Sequence, residues 1–195
     1  MASTLEEAMA PFAPTVTITT HDPDCSVAIH PSSGPIQFTP VDLAGQPAAH
    51  GTFYTAHTLP VVLSDDDDIK RYAAWTAAPD CLIPQDGVIA VYDRFPPSAE
   101  VAMHRTQSLD FGVVVEGEIE LLLPGGATKL LRRGDVIVQR ETEHGWRNPS
   151  RENEVLIFYV ALNAKPVRIG DQVLGENLKA VGLSAPLASS KMRDH

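Results

Sequence analysis

The sequence predicts an all-β fold, a two-sheet sandwich or barrel, on three observations. From Gly87 onward the chain is a succession of short apolar, β-branched segments: Val88 to Asp93, Phe111 to Val115, Ile119 to Leu123, Thr128 to Leu131, Val136 to Gln139 and Val155 to Leu162. Turn formers separate them at Pro96-Pro97, Glu116-Gly117, Pro124-Gly125-Gly126, Arg133-Gly134 and Asn148-Pro149-Ser150. Many short strands with regular turns must bury one face each, and two packed sheets are the simple solution. Finally, 195 residues of which 44% are hydrophobic suffice for one well-buried core but not for two independent domains.

Taken in order, Met1 to Ala10 carries Glu6 and Glu7 and has neither a basic start nor a long apolar run, so it does not read as a secretory signal. Thr15 to Thr20 and Ser26 to His30 alternate polar with apolar residues around the turn signal His21-Asp22-Pro23-Asp24, which predicts a leading hairpin. Pro31 to Gly51 is rich in Pro, Gly, Ser and Ala without a period and reads as a connecting arm; Thr52 to Thr58 returns to strand character. Ser64 to Asp68 is an acidic run leading into Ile69, Tyr72, Ala73 and Trp75. That spacing predicts one short helix near Asp65 to Trp75, its carboxylates massed in solvent at the positive end of the dipole. The run lacks the interleaved Gly and closing Glu of a calcium loop. The resulting organisation is an arm with strands over 1–86, a barrel core over 87–170 and a tail over 171–195, frayed from Ser189 to His195.

Charge and cysteine usage narrow the function. Fifteen basic against 25 acidic residues give a formal charge of -10, which repels nucleic acid and anionic membrane surfaces. No apolar run approaches the roughly 20 residues that cross a bilayer. Cys25 and Cys81 lie far apart in no metal-binding spacing, as expected of reduced thiols in a cytoplasmic protein.

The chemistry concentrates in His104, Asp110 and His144. Alternate residues of a strand share a face, so His104, Thr106 and Ser108 point one way, and His144, Trp146 and Asn148 share a face of a later strand. A turn between the first two strands lets Asp110 face His104, and rolling the strands into a barrel turns two imidazoles and a carboxylate toward one another. Arg105 then faces away. Trp146 either stacks on a substrate or fills the core. Gly112 either leaves room for a ligand beside Asp110 or permits tight packing. Asn148 is expected to end its strand on backbone bonds ahead of Pro149, and Arg132, Arg133 and Arg140 to pair with Asp135, Glu141 and Glu143. His21, His30, His50 and His195 read as solvent-exposed histidines, and neither Tyr54 nor His57 reads as catalytic.

These residues resemble the cupin superfamily. His104, Asp110 and Gly117 fall on its first motif, a His-rich segment with a Glu and a closing Gly; Gly134, His144 and Asn148 fall on its second, which ends in a His followed by an Asn. Met103 to Asp110 followed by Glu116 to Leu121 is similar to small single-domain cupins of fungal polyketide pathways. The chain departs from the pattern where Thr106 replaces the second His, Asp110 replaces Glu, and Gln139-Arg140-Glu141 replaces Pro-x-Gly. The resemblance implies a double-stranded β-helix, the jelly-roll barrel, and a homodimer paired through its arms. It also implies an enzyme of secondary metabolism acting on a small aromatic or polyketide substrate.

Three readings of the site follow. In the first, His104, Asp110 and His144 are both catalytic residues and ligands of a divalent metal, iron or zinc, in an oxidoreductase-type reaction, with Thr106, Gly112 and Trp146 lining the substrate pocket. In the second the same groups act without metal as acid and base in a lyase, dehydratase, isomerase or cyclase. The third is a non-catalytic barrel that binds a small ligand.

Overall fold

The computed structural model describes residues 13–182. The described residues divide into two compact units, the first ending at Gln37 and the second beginning at Phe38.

In the first unit the strands are β1 (Thr15–Val16), β2 (Thr19–His21), β3 (Val27–Ile29) and β4 (Gly34–Pro35). The predicted hairpin is β2 against β3, turned where the Asp22 N–H donates to the Ser26 carbonyl and the Cys25 N–H to the Asp22 carbonyl, both at 2.9 Å. Thr15 and Val16 leave that hairpin and pair with Pro35 and Gly34. The Ser33 hydroxyl explains the switch, because it accepts the Ile18 N–H at 2.8 Å and takes that amide out of the ladder.

The second unit is mostly strand. It runs β5 (Thr39–Asp42), β6 (Pro47–Ala56), α1 (Asp67–Ala77), β7 (Val88–Phe95), β8 (Glu100–His104), β9 (Ser108–Glu116), β10 (Glu118–Leu122), β11 (Thr128–Arg132), β12 (Val136–Arg140), β13 (His144–Arg147), β14 (Val155–Asn163), β15 (Arg168–Ile169) and β16 (Gln172–Val173). A large antiparallel sheet has the order β12-β9-β14-β7-β6-β5, a small one β11-β10-β13-β8, and β15 pairs with β16. One apolar core joins the two main sheets: Ile89, Val91, Phe95, Val114, Ile157 and Tyr159 from the large sheet, Val101, Ile119, Leu131 and Trp146 from the small one. Alternation on β14 puts Val155, Ile157, Tyr159 and Ala161 on the buried face. Each fully buried Val, Leu or Ile adds about 1.5–3 kcal/mol. The β9–β10 hairpin turns on Gly117 at φ +76°, a left-handed backbone that a side chain would strain.

Three segments differ from the sequence reading. The arm from Pro31 to Gly51 holds β4, β5 and half of β6, with Thr39, Val41 and Asp42 opposite His50, Ala48 and Pro47. Its small residues hide the alternation, and Pro40 is tolerated because β5 is an edge strand. The acidic run is not wholly solvated: Asp68 is buried and accepts the Tyr54 hydroxyl, while the Tyr72 hydroxyl bonds the Thr52 carbonyl at 3.2 Å, which seats α1 on β6. After Leu174, where strand character fades, Leu178 and Val181 are buried in the core, and Arg105 and Asn177 exchange backbone bonds of 2.9 and 2.8 Å. The tail from Ser189 to His195 lies outside the described residues. Among the described residues no helix is long and apolar enough to cross a membrane.

Candidate functional site

A cavity of about 120 Å³ lies between the two sheets. The pairing registers show how the strands build it. On the large sheet Gln139 of β12 opposes Asp110 of β9, which opposes Ala161 of β14, which opposes Ile89 of β7. Two residues along, Gly112 opposes Tyr159, which opposes Val91. Further along, Asp93 of β7 lies between Ile157 and His50 of β6. His104 and His144 stand opposite each other on β8 and β13 of the small sheet.

The two imidazoles are close, with ring centroids 4.4 Å apart. Each hydrogen-bonds through Nδ1 to the carbonyl two residues earlier, His104 to Ala102 and His144 to Thr142, both at 2.9 Å. A carbonyl only accepts, so the proton sits on Nδ1 and each Nε2 carries a lone pair. Burial and the neighbouring His104 push His144 down to about 3, against the Thr142 carbonyl. Burial lowers His104 as well, opposed by the Ala102 carbonyl and the Asp93 charge. Both rings are therefore neutral bases near pH 7. Trp146 meets His144 edge-on at 5.5 Å; it is a core aromatic that also lines the cavity.

The large sheet supplies charge. Burial, with the Asp93 charge adding to it, raises Asp110 to about 6, although the Ser108 hydroxyl pulls the other way. Asp110 Oδ1 is buried and has no hydrogen-bond partner in the protein. Asp93 accepts from His50 Nδ1 at 2.7 Å, and His50 Nε2 lies 3.1 Å from the Thr52 hydroxyl. Burial opposes protonation of His50, but the Asp93 charge and hydrogen bond prevail, so His50 titrates above its ordinary range. Burial, reinforced by the charges of Asp93 and Asp110, holds Tyr159 well above the usual phenol range, so it stays a hydroxyl donor.

His104, Thr106, Asp110, His144 and Trp146 all line this cavity, and Gly112 does not. A Cβ on Gly112 would stand 2.5 Å from Tyr159 Cε1, so the missing side chain makes room for the tyrosine ring, not for a ligand. Arg105 bonds Glu143 at 3.3 Å and reaches toward the Gly175 carbonyl at 3.4 Å. Asn148 spans the carbonyls of Phe95, Pro96 and Asn153, a structural pin. The arginine cluster pairs otherwise than expected: Arg132 with Glu118, while Glu141 is buried and accepts the Val167 N–H.

Sequence reasoning missed His50, Asp93, Gln139 and Tyr159. The histidine expected in solvent is corrected to a cavity residue, because the segment that carries it is a strand of the large sheet. Asp93 left a readable signal: it interrupts the apolar row Ile89, Val91, Phe95 on one strand face.

The structure also tests a metal. The donor chemistry is suitable, with two Nε2 lone pairs and an unpartnered carboxylate oxygen. The convergence is not: among the described residues no three His, Cys, Asp or Glu side chains come together closely enough to hold an ion. His104, Asp110 and His144 line one cavity without gathering into a three-ligand cluster. The imidazoles pair on one sheet while Asp110 projects from the other beside Gln139.

The match to known proteins falls on this part of the chain. Residues 91–161 match the cupin domain. The "Cupin-domain-containing oxidoreductase srdB" of Neurospora crassa is 31% identical over 160 residues, 78% of this chain and 80% of that protein. The chain belongs to the cupin family. Higher identity, 45% over 129 residues, relates this cupin to the "Oryzines biosynthesis cluster protein J" of Aspergillus oryzae, across 66% of this chain and 72% of that protein. The "Phomopsin biosynthesis cluster protein C'" of Diaporthe leptostromiformis is 42% identical over 63% of this chain and 65% of its own length.

Proposed function

We propose that this cupin is an enzyme of secondary metabolism that holds a small aromatic or polyketide molecule in the cavity and transfers a proton within it. The reaction is then a dehydration, isomerisation, elimination or ring closure. Asp110 moves the proton, while His104 and His144 accept hydrogen bonds from substrate hydroxyls through their Nε2 atoms. The observation that carries this reading is Asp110, a cavity-lining carboxylate whose Oδ1 is buried and unpartnered. A carboxyl that titrates at about 6 is poised to take up and release a proton near neutral pH. The relatives named as biosynthesis cluster proteins support the metabolic setting, and those named as cupin-domain oxidoreductases support an enzyme.

The second reading is a divalent ion, iron or zinc, and the paired Nε2 lone pairs favour it. His104 and His144, joined by Asp110 after a shift toward them, would hold the ion, which would supply Lewis acidity.

Elemental analysis and turnover separate the two. A strain in which the gene is disrupted supplies the accumulated precursor, and purified wild-type protein is expected to convert it after exhaustive chelation. Asp110→Asn is expected to lower the rate by about 100-fold or more. Stoichiometric iron or zinc that disappears in His144→Ala, together with activity lost on chelation, would replace the first reading with the second. Full turnover by Asp110→Asn overturns the first outright.

A further inference from the structure

Two side chains of the cavity carry polar ends that no protein group answers. Gln139 is 4% exposed and Tyr159 8%, yet Gln139 Nε2 and Tyr159 Oη lack any hydrogen-bond partner. Both line the cavity. The registers place them around Asp110: Gln139 is its direct neighbour on β12, and Tyr159 stands one step further along, opposite Gly112. The position of the tyrosine ring is built in, since Gly112 gives up its side chain to it. Buried donors without partners are costly and rare, and where they face a cavity they await an acceptor from outside the protein. An amide N–H and a phenol O–H are both donors, and what two such donors select is an oxygen rich in electron density.

We infer that Gln139 and Tyr159 together seat one oxygen of the substrate, the oxygen of a ketone, aldehyde or phenol, beside Asp110. This deepens the proton-transfer reading and rests on it for the chemistry. The substrate class is a carbonyl compound or phenol with a removable proton next to the seated oxygen. The C–H or O–H bond breaks, its proton passes to the Asp110 carboxylate, and the electron pair spreads onto the seated oxygen as an enolate or phenolate. The same proton returns at the other end of the conjugated system, so nothing is oxidised or reduced. Because burial keeps Tyr159 protonated, it remains a donor throughout.

Binding tests the seat without turnover, using phenol and toluene as probes, which differ by one oxygen. The full chain is titrated with each while the two tryptophan indole signals are followed by NMR. Trp146 lines the cavity and Trp75 does not, so a shift confined to Trp146 locates the probe. Phenol is expected to bind about tenfold more tightly than toluene, and Tyr159→Phe and Gln139→Met each to cut that preference about threefold or more with toluene binding unchanged. Equal binding of the two probes, no Trp146 shift with either, or a preference unaltered in both variants overturns the inference. If Asp110→Asn keeps both its turnover and the phenol preference, the base assignment falls and the oxygen seat stands.

Discussion

The two walls of the cavity solve opposite problems with similar residues. On the small sheet, His104 and His144 each have Nδ1 tied to a carbonyl, and Trp146 packs beside them, so that wall is fixed, neutral and largely satisfied. On the large sheet, Asp110, Gln139 and Tyr159 keep atoms without partners, and His50 and Asp93 form a hydrogen-bonded pair. The contrast separates what holds the barrel together from what is left over for a ligand. Stability should reside in the first wall and be spent in the second.

Emptying the packed wall should therefore cost stability, and removing the buried carboxyl of the other should return some. The largest effect belongs to Trp146→Ala, expected to cost about 3–5 kcal/mol in denaturant unfolding through the void it opens. If it costs nothing, the small-sheet wall is not the packed one.

Next come two variants that unmask opposing pH dependences. His144 titrates at about 3 in the folded chain against 6.5 when unfolded, so between those values only the unfolded chain binds the proton. Its contribution makes stability rise with pH across that window and fall away in acid, by roughly 3–5 kcal/mol in total. Asp110 is the reverse: folded at about 6 and unfolded near 3.8, it binds its proton more tightly when folded, so its contribution falls as pH rises from about 4 to 6. His144→Phe should remove the acid-side loss, and Asp110→Asn should stabilise the protein above pH 6 by about 2–3 kcal/mol. Unfolding curves from pH 3.5 to 7.5 read both, and slopes unchanged from wild type in either variant would contradict the division. Smaller again, Gly112→Ala should cost about 1–3 kcal/mol by forcing a methyl into the Tyr159 ring. Its effect should shrink in a Tyr159→Leu background, where the contact with Ile137 Cγ2 at 2.9 Å remains, and an undiminished cost would show that the ring is not the main obstacle.

How much of this was legible in the sequence depends on how far a signal travels along the chain. The barrel strands from Val88 to Leu162 announce themselves because alternation and turn residues are local, and so does the helix after the acidic run. His104, His144 and Asp110 were readable as chemistry-bearing residues. How they stand around the cavity was not, because it depends on which sheet each strand joins: β8 and β13 pair, whereas β9 belongs to the other sheet. His50 was lost to an arm whose alanines, prolines and glycine mask a strand. Tyr159 and Gln139 sit in ordinary strand patterns, and only the surrounding structure shows that their polar ends go unanswered.

The backbone exchange between Arg105 and Asn177 carries a consequence for the order of synthesis. The 70 residues from Arg105 to Gly175 must emerge before the guanidinium meets its carbonyl there, and Leu178 and Val181 complete the core only afterwards. At ribosomal speeds of about 5–20 residues per second, strand β8 waits roughly 4–14 seconds for its last neighbour. Strands β9 to β14 emerge within that same interval, so the growing sheets stay open to chaperones and to other unfinished chains until the last segment arrives.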